Sequence, residues 1–284
     1  MFLATMHDSE TPTAATSAAV RVGGGWRPLP AADLSELMAH EDWQQKVRRA
    51  TVDDSLQPDD VPEQRVLFGL PLPRPSKVIC CGLNYEEHIV EMKREIPQFP
   101  TLFAKFADTL AAPYAPLLVH ENARLDWEAE LAVVIGRTLS RADEDESAAA
   151  IAGYTVANDI SMRDWQGRTT QWLQGKAFDR TTPIGPVIAT PDEVDPVEGL
   201  RVECFVNGTR TQSGTTRTLV FSAARLLSYI SSFTTLQPGD VVLTGTPGGV
   251  GSGMRPPRYL ADGDVIETSI EGIGHLRNTI SFTA

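Results

Sequence analysis

Disulfide chemistry is the first thing the sequence excludes. Only three cysteines occur in 284 residues, and two of them, Cys80 and Cys81, are neighbours behind the apolar pair Val78 and Ile79. A disulfide framework needs an even set at spread spacings and a zinc site needs Cys-x-x-Cys pairs, so these thiols read as reduced, buried strand residues in a cytoplasmic protein. Basic runs are missing too, and with a formal net charge of −12 the chain lacks the face that nucleic-acid phosphate requires. No segment approaches the roughly 20 apolar residues of a membrane-spanning helix. The start, with Asp8 and Glu10 among Ala, Thr and Ser, has neither the basic opening nor the apolar core of a signal peptide. No internal repeat is present. A soluble protein with neither nucleic-acid nor membrane partners is expected.

What is there is ordinary globular composition, with 42% hydrophobic and 22% charged residues. A chain of this size buries roughly three quarters of its unfolded surface, so it needs no metal to fold and any metal would serve chemistry. Residues 1–20 read as a flexible tail and 21–74 as a small N-terminal lobe with a helical pattern around Leu34 to Val47. The stiff run Pro71-Leu72-Pro73-Arg74-Pro75 marks the boundary to a main domain over 75–284. There, β-branched segments dominate: Val78 to Cys81, Ala129 to Ile135, Tyr154 to Asn158, Arg201 to Val206 and Val241 to Thr244. Asn207-Gly208 predicts a two-residue hairpin turn and hence antiparallel pairing. Helices are expected at Asn84 to about Glu95, near Ala142 to Ile151, and at Phe221 to Phe233. The fold class is mostly β (α+β), with a few peripheral helices.

Five constellations carry possible chemistry. In Asp126-Trp127-Glu128-Ala129-Glu130, the two glutamates share one strand face with α-carbons roughly 7 Å apart, close enough to hold one cation. A solvated strand terminus is the alternative. Asn158-Asp159, after a strand, would bring a third carboxylate or simply make a turn. Three oxygen ligands without His or Cys point to Mg²⁺ or Mn²⁺. In Asn84-Tyr85-Glu86-Glu87-His88, Asn84 and Glu87 form a capping-box pattern that places His88 and Glu91 on one helix face. This is a general-base pair or a plain surface pair. Gly175-Lys176 would let the backbone approach a ligand whose anionic charge the ammonium neutralises. The glycine-rich segment from Thr244 to Gly253 lacks a Gly-Lys-Ser/Thr ending, and Pro256 and Pro257 forbid the helix of a phosphate loop. Thr246 and its neighbours remain candidate donors to a substrate carboxylate.

In order and wording these segments resemble the fumarylacetoacetate hydrolase family over about residues 75 to 284. The matching motifs are Gly-Leu-Asn-Tyr-x-x-His, Asp-Trp-Glu-x-Glu-Leu-Ala, Asn-Asp-Ile-Ser-x-Arg, Gly-Lys-x-Phe-Asp, Pro-Ile-Gly-Pro and Thr-Gly-Thr-Pro. The resemblance implies a mixed β-roll or barrel, a homodimer, and Mg²⁺ or Mn²⁺ on Glu128, Glu130 and Asp159. It further implies a lid carrying His88 and Glu91, Lys176 on the substrate oxygens, and Tyr85, Lys105, Arg163, Gln166 and Thr246 in the pocket. After Lys105 this chain has Phe106-Ala107-Asp108 where many relatives have proline. The segments Met162 to Gln166 and Gln171 to Lys176 are most similar to bacterial fumarylpyruvate hydrolases of aromatic-acid breakdown. A small 2-oxo acid is the implied substrate, cleaved to pyruvate by water that His88 and Glu91 activate. For a fumarylpyruvate-like dianion, Lys105, Arg163 or Arg168 would take the far carboxylate. Oxaloacetate decarboxylation and hydroxydienoate isomerisation are the alternatives on the same site, and a non-catalytic nucleotide-binding module is the rival of another class.

Overall fold

The computed structural model describes residues 1–8, 11, 15–53, 55–91, 95–119 and 124–283, the side chain of His88 excepted. Two large mixed sheets and a two-stranded one, Leu125–Asp126 with Ser161–Met162, form among the described residues. Across the larger one the strands run Val61–Pro62, Gly25–Pro28, Thr16–Val22, Phe2–His7, Thr182–Ala189, Ile151–Asn158, Ala129–Ile135, Val241–Leu243, Val78–Gly82 and Thr101–Lys105, with Leu110–Ala111 beside Thr182–Ala189. Most neighbours are antiparallel, but Val241–Leu243 and Val78–Gly82 run parallel. The second sheet orders Thr209–Thr215, Arg201–Val206, Val265–Ile270, Gly274–Phe282 and Leu117–Val119. Its hairpin turns at Asn207 and Gly208, both with positive φ, as the Asn-Gly pair predicts.

The strand Ala129–Ile135 is buried along its whole length because both of its faces are covered. Its odd-numbered residues, Ala129, Leu131, Val133 and Ile135, pack with Val202, Cys204, Ile266, Ile270 and Leu276 of the second sheet. The even ones, Ala132 and Val134, face the opposite way, toward Leu34, Leu37 and Trp43 of the short helices Leu34–Met38 and Trp43–Ala50. This alternation also decides where Glu128 and Glu130 point, since they continue the even series.

Residues 1–20 are not a tail over their described length. Phe2–His7 pairs with Thr16–Val22 and, through Phe2 and Leu3, with Ala189 and Ile188. Leu3, Ala4 and Met6 are fully or almost fully buried, so a stretch that reads as weakly structured by composition holds an apolar strand. The N-terminal region therefore shares the main sheet with the rest of the chain, across the proline run at 71–75. The helix expected from Asn84 runs Glu86–Glu91, and residues 92–94 of that expectation lie outside the described ones. Near Ala142 and Phe221 the expected helices are Glu144–Ala149 and Ala223–Ser231. No helix among the described residues is long and apolar enough to cross a membrane.

Candidate active site

The three carboxylates meet because of strand register. Ala129 pairs with Asn158 and Glu130 with Ala157, so one step further Asp159 comes opposite Glu128, where the Asp159 amide donates to the Glu128 carbonyl at 2.8 Å. Directly opposed residues in such a pair hold their side chains about 5 Å apart. Carboxylate oxygens of Glu128, Glu130 and Asp159 accordingly lie within 4.8 Å of one another, all buried. Asn158, on the opposite face, bonds Thr268 at 2.9 Å and accepts from the Glu128 amide at 2.9 Å, which anchors this strand end on the second sheet.

Cations surround the cluster. Lys176 places Nζ 2.6 Å from Glu128 Oε2 and 2.9 Å from Asp159 Oδ2, and Lys105 places Nζ 2.5 Å from Asp159 Oδ1. Arg163 reaches Glu128 Oε1 at 2.7 Å, Asp126 Oδ2 at 2.7 Å and Gln166 Oε1 at 2.8 Å. Burial works against the charge on Lys176, but Asp159 and Glu128 outweigh it and raise its pKa. The Arg163 guanidinium, buried beside Glu128 and Asp126, is likewise held charged. Glu130 has the Gly245 amide as donor at 2.7 Å, and burial, then Asp159 and Glu128, push its pKa well above the usual carboxylate range. A buried carboxylate destabilised in this way, within an all-oxygen set, is what a hard divalent cation would relieve. The residues therefore fit such an ion.

Above the cluster lies a cavity of about 330 Å³, lined by Glu128, Glu130, Arg163, Gln166, Lys176 and Thr246, with Phe103, Trp172, Cys81 and Leu83 as apolar wall. Thr169, Thr170 and Ser252 complete its polar side. All three cysteines are free and buried, and burial together with Glu130 pushes the Cys81 thiol up to about 12.

Several expected roles change. The capping box is not formed: Asn84 accepts from the Phe221 amide at 2.8 Å and donates to the carbonyls of Thr244 and Phe221, so it ties the helix base to two other segments. Tyr85 is fully buried, its hydroxyl has no hydrogen-bond partner, and it does not line the cavity. Lys105 is held on Asp159 and Arg168 stacks 3.4 Å over Trp165, and neither lines the cavity. Gly175 serves a protein contact: a Cβ there would collide with Gln166, so the missing side chain lets Leu173–Lys176 pack on Arg163–Gln166. In the glycine-rich segment, the amide of Gly245 is given to Glu130, that of Gly249 to Glu91 at 3.2 Å and 3.3 Å, and those of Gly251 and Ser252 to Asp126. Those amides serve the protein's own carboxylates rather than a phosphate or a substrate. Thr246 does face the cavity, positioned by Gln212 at 2.8 Å. Glu91 sits on the helix Glu86–Glu91 against Gly249, and the His88 side chain lies outside the described residues.

Sequence reasoning misses Asp126 and Gln212. Asp126 is fully buried, orients Arg163 and accepts from the amides of Trp127, Gly251 and Ser252. Its only signal is an aspartate two residues before a pair already singled out. Gln212 lies far away in sequence, and nothing local marks it.

The family described as Fumarylacetoacetate (FAA) hydrolase C-terminal matches residues 77–281. A mitochondrial oxaloacetate tautomerase from Rattus norvegicus is 42% identical over 222 residues, covering 78% of this chain and 71% of that protein. A 2,4-didehydro-3-deoxy-L-rhamnonate hydrolase from Sphingomonas sp. (strain SKA58) is 43% identical over 217 residues, covering 75% and 76% respectively. Among solved structures, the fumarylacetoacetate hydrolase from psychrophilic Exiguobacterium antarcticum superposes with a TM-score of 0.83 at 34% identity, over 100% of both chains.

Proposed function

The chain belongs to the fumarylacetoacetate hydrolase family, and on that premise we propose that it is a divalent-cation-dependent hydrolase of 3-acylpyruvates. It cleaves the C3–C4 bond of a 2,4-dioxo acid and releases pyruvate. One observation carries this reading: three carboxylates converge within 4.8 Å at the floor of a cavity whose wall holds Lys176 and Arg163. Mg²⁺ or Mn²⁺ on Glu128, Glu130 and Asp159 would supply a Lewis acid for the adjacent carboxylate and 2-oxo oxygens of the substrate.

The chain's own groups then have distinct tasks. His88, oriented by Glu91, takes a proton from the water that attacks C4. As the C3–C4 bond breaks, its electron pair passes to C3 and the C2 oxygen, where Lys176 donates to the developing enolate. A proton returned to C3 completes pyruvate, and the acyl fragment leaves as an acid. Arg163 and Gln166, bonded to each other at 2.8 Å, and the Thr246 hydroxyl hold the substrate.

The lining of the cavity supports a choice for the acyl end of the substrate. Thr169, Thr170, Gln166 and Ser252 give the cavity lining hydroxyl and amide groups, while Lys105 and Arg168 do not line it. A hydroxylated, uncharged acyl group suits this lining better than the second carboxylate of fumarylpyruvate. The relative named for 2,4-didehydro-3-deoxy-L-rhamnonate, a sugar acid with oxo groups at C2 and C4, supports the same choice.

A second reading, tautomerisation of oxaloacetate, is favoured by the relative bearing that name at 42% identity. It passes through an enolate of oxaloacetate itself, with a proton moved between C3 and the C2 oxygen and no carbon–carbon bond broken. The test is a steady-state comparison of a hydroxylated 2,4-dioxo acid, acetylpyruvate, fumarylpyruvate and oxaloacetate. The hydroxylated substrate should have the highest kcat/KM, with pyruvate as product. Enol–keto interconversion of oxaloacetate without cleavage of any acylpyruvate would replace the first reading by the second.

A further inference from the structure

Lys105 is a buried lysine at the end of the edge strand Thr101–Lys105, whose other residues are part-buried or exposed. Its side chain is fully buried, its Nζ is held on Asp159, and it is not among the residues that line the cavity. Burying an ammonium is costly, and a buried ion pair is by itself weak evidence of a stabilising role. What Lys105 does supply is a fixed positive charge against one oxygen of Asp159.

Among the described residues around the floor, and with every group ionised as a bound cation would hold it, the four carboxylates of Asp126, Glu128, Glu130 and Asp159 face the three cations Lys105, Lys176 and Arg163, which leaves one net negative formal charge. Tight divalent sites owe much of their affinity to uncompensated ligand charge. This floor is nearly neutral. A divalent cation makes it net positive by one, and a single carboxylate of an incoming 2-oxo acid cancels that excess.

We propose that Lys105 sets this balance: it keeps the intrinsic cation affinity of the carboxylate triad low and so makes cation and 2-oxo anion bind cooperatively. The inference rests on the metal reading above and adds a role that neither the cation's presence nor the reaction requires. By linkage, the factor by which the anion tightens cation binding equals the factor by which the cation tightens anion binding.

The test is titration with Mn²⁺, followed by the spectroscopic signal of the free ion, on the full chain, on Lys105→Met and on Lys105→Arg. Each is measured with and without oxalate, a stand-in for the chelating end of a 2-oxo acid, with the Mn²⁺–oxalate complex in solution subtracted. In the unaltered protein oxalate should tighten Mn²⁺ binding by about tenfold or more. Without oxalate, Lys105→Met should bind Mn²⁺ about ten- to a hundredfold more tightly, as expected for removal of one nearby buried charge, and should gain less from oxalate. Lys105→Arg, which keeps the charge, should match the unaltered protein within about threefold. A Met variant that is folded yet binds Mn²⁺ no more tightly overturns the role of Lys105 alone, while absence of Mn²⁺ binding to the unaltered protein overturns the metal reading and this inference with it. If the Met variant does not fold, the oxalate effect on the unaltered protein decides: equal Mn²⁺ affinity with and without oxalate overturns the proposal.

Discussion

Asp159 faces Glu128 across an antiparallel strand pair, its amide donating to the Glu128 carbonyl at 2.8 Å, and Lys176 bridges their two carboxylates from the cavity side. The cation-binding oxygens are thus placed by backbone register rather than by loops, which makes the cluster rigid and independent of any bound ion. Removing divalent metal with a chelator should therefore abolish turnover while the circular dichroism spectrum and cooperative melt persist. Glu128→Gln should behave the same way, and full turnover after chelation would refute the ligand assignment.

The water-activating pair is separable from the cation site. His88→Ala or Glu91→Ala should lower acylpyruvate cleavage by about 10² to 10⁴-fold, the usual contribution of a placed acid–base group, with Mn²⁺ binding unchanged. Oxaloacetate enolisation needs no attacking water. Equal loss of cleavage and enolisation would remove the pair from water activation.

Asp126 does not line the cavity, but it orients Arg163 and fixes two amides of the glycine-rich segment. Asp126→Asn removes a charge-assisted partner and should reduce kcat/KM by about 10- to 100-fold, chiefly through KM. Mn²⁺ affinity should change much less. A variant with unaltered KM and a lowered melting temperature would show a merely structural role.

Away from the site, Asp60 accepts from Arg27 Nε at 3.0 Å and from its NH2 at 2.8 Å, and this pair holds the Asp60 carboxyl below its usual pKa. A group whose folded-state pKa is depressed stabilises fully above its unfolded pKa, about 3.9, and loses that contribution as pH falls through the folded value. Asp60→Asn should cost about 1 kcal/mol at neutral pH, because Arg27 keeps the carbonyls of Ala50, Asp53 and Ser55. Urea melts should show the gap between the two proteins closing below about pH 4. A gap that stays constant to lower pH would mean that the carboxylate charge contributes nothing.

Much of the fold and of the site is legible in the sequence. The β-branched run Ala129 to Ile135, the Asn-Gly turn and the chemistry of Glu128, Glu130 and Asp159 all follow from local rules: period-two alternation, positive φ at a turn, and oxygen donors for a hard ion. Such rules act over a few residues, so they hold whatever the rest of the chain does. Where they fail, a distant partner decides. Residues 2–7 look like a tail until Thr182–Ala189 offers an edge to pair with. Asn84 has the wording of a helix cap, yet Phe221 and Thr244 claim its side chain. The glycine-rich amides look like substrate donors, but Asp126, Glu91 and Glu130 stand close enough to take them. Lys105 and Arg168 share the charge sign that a distal carboxylate would need, and only the packing shows one held on Asp159 and the other stacked on Trp165. Sequence alone determined which residues have the chemistry, because that is a property of side-chain type and short spacing. Which of those groups face the same cavity was decided by strand register and long-range hydrogen bonds, whose partners lie tens to more than a hundred residues away.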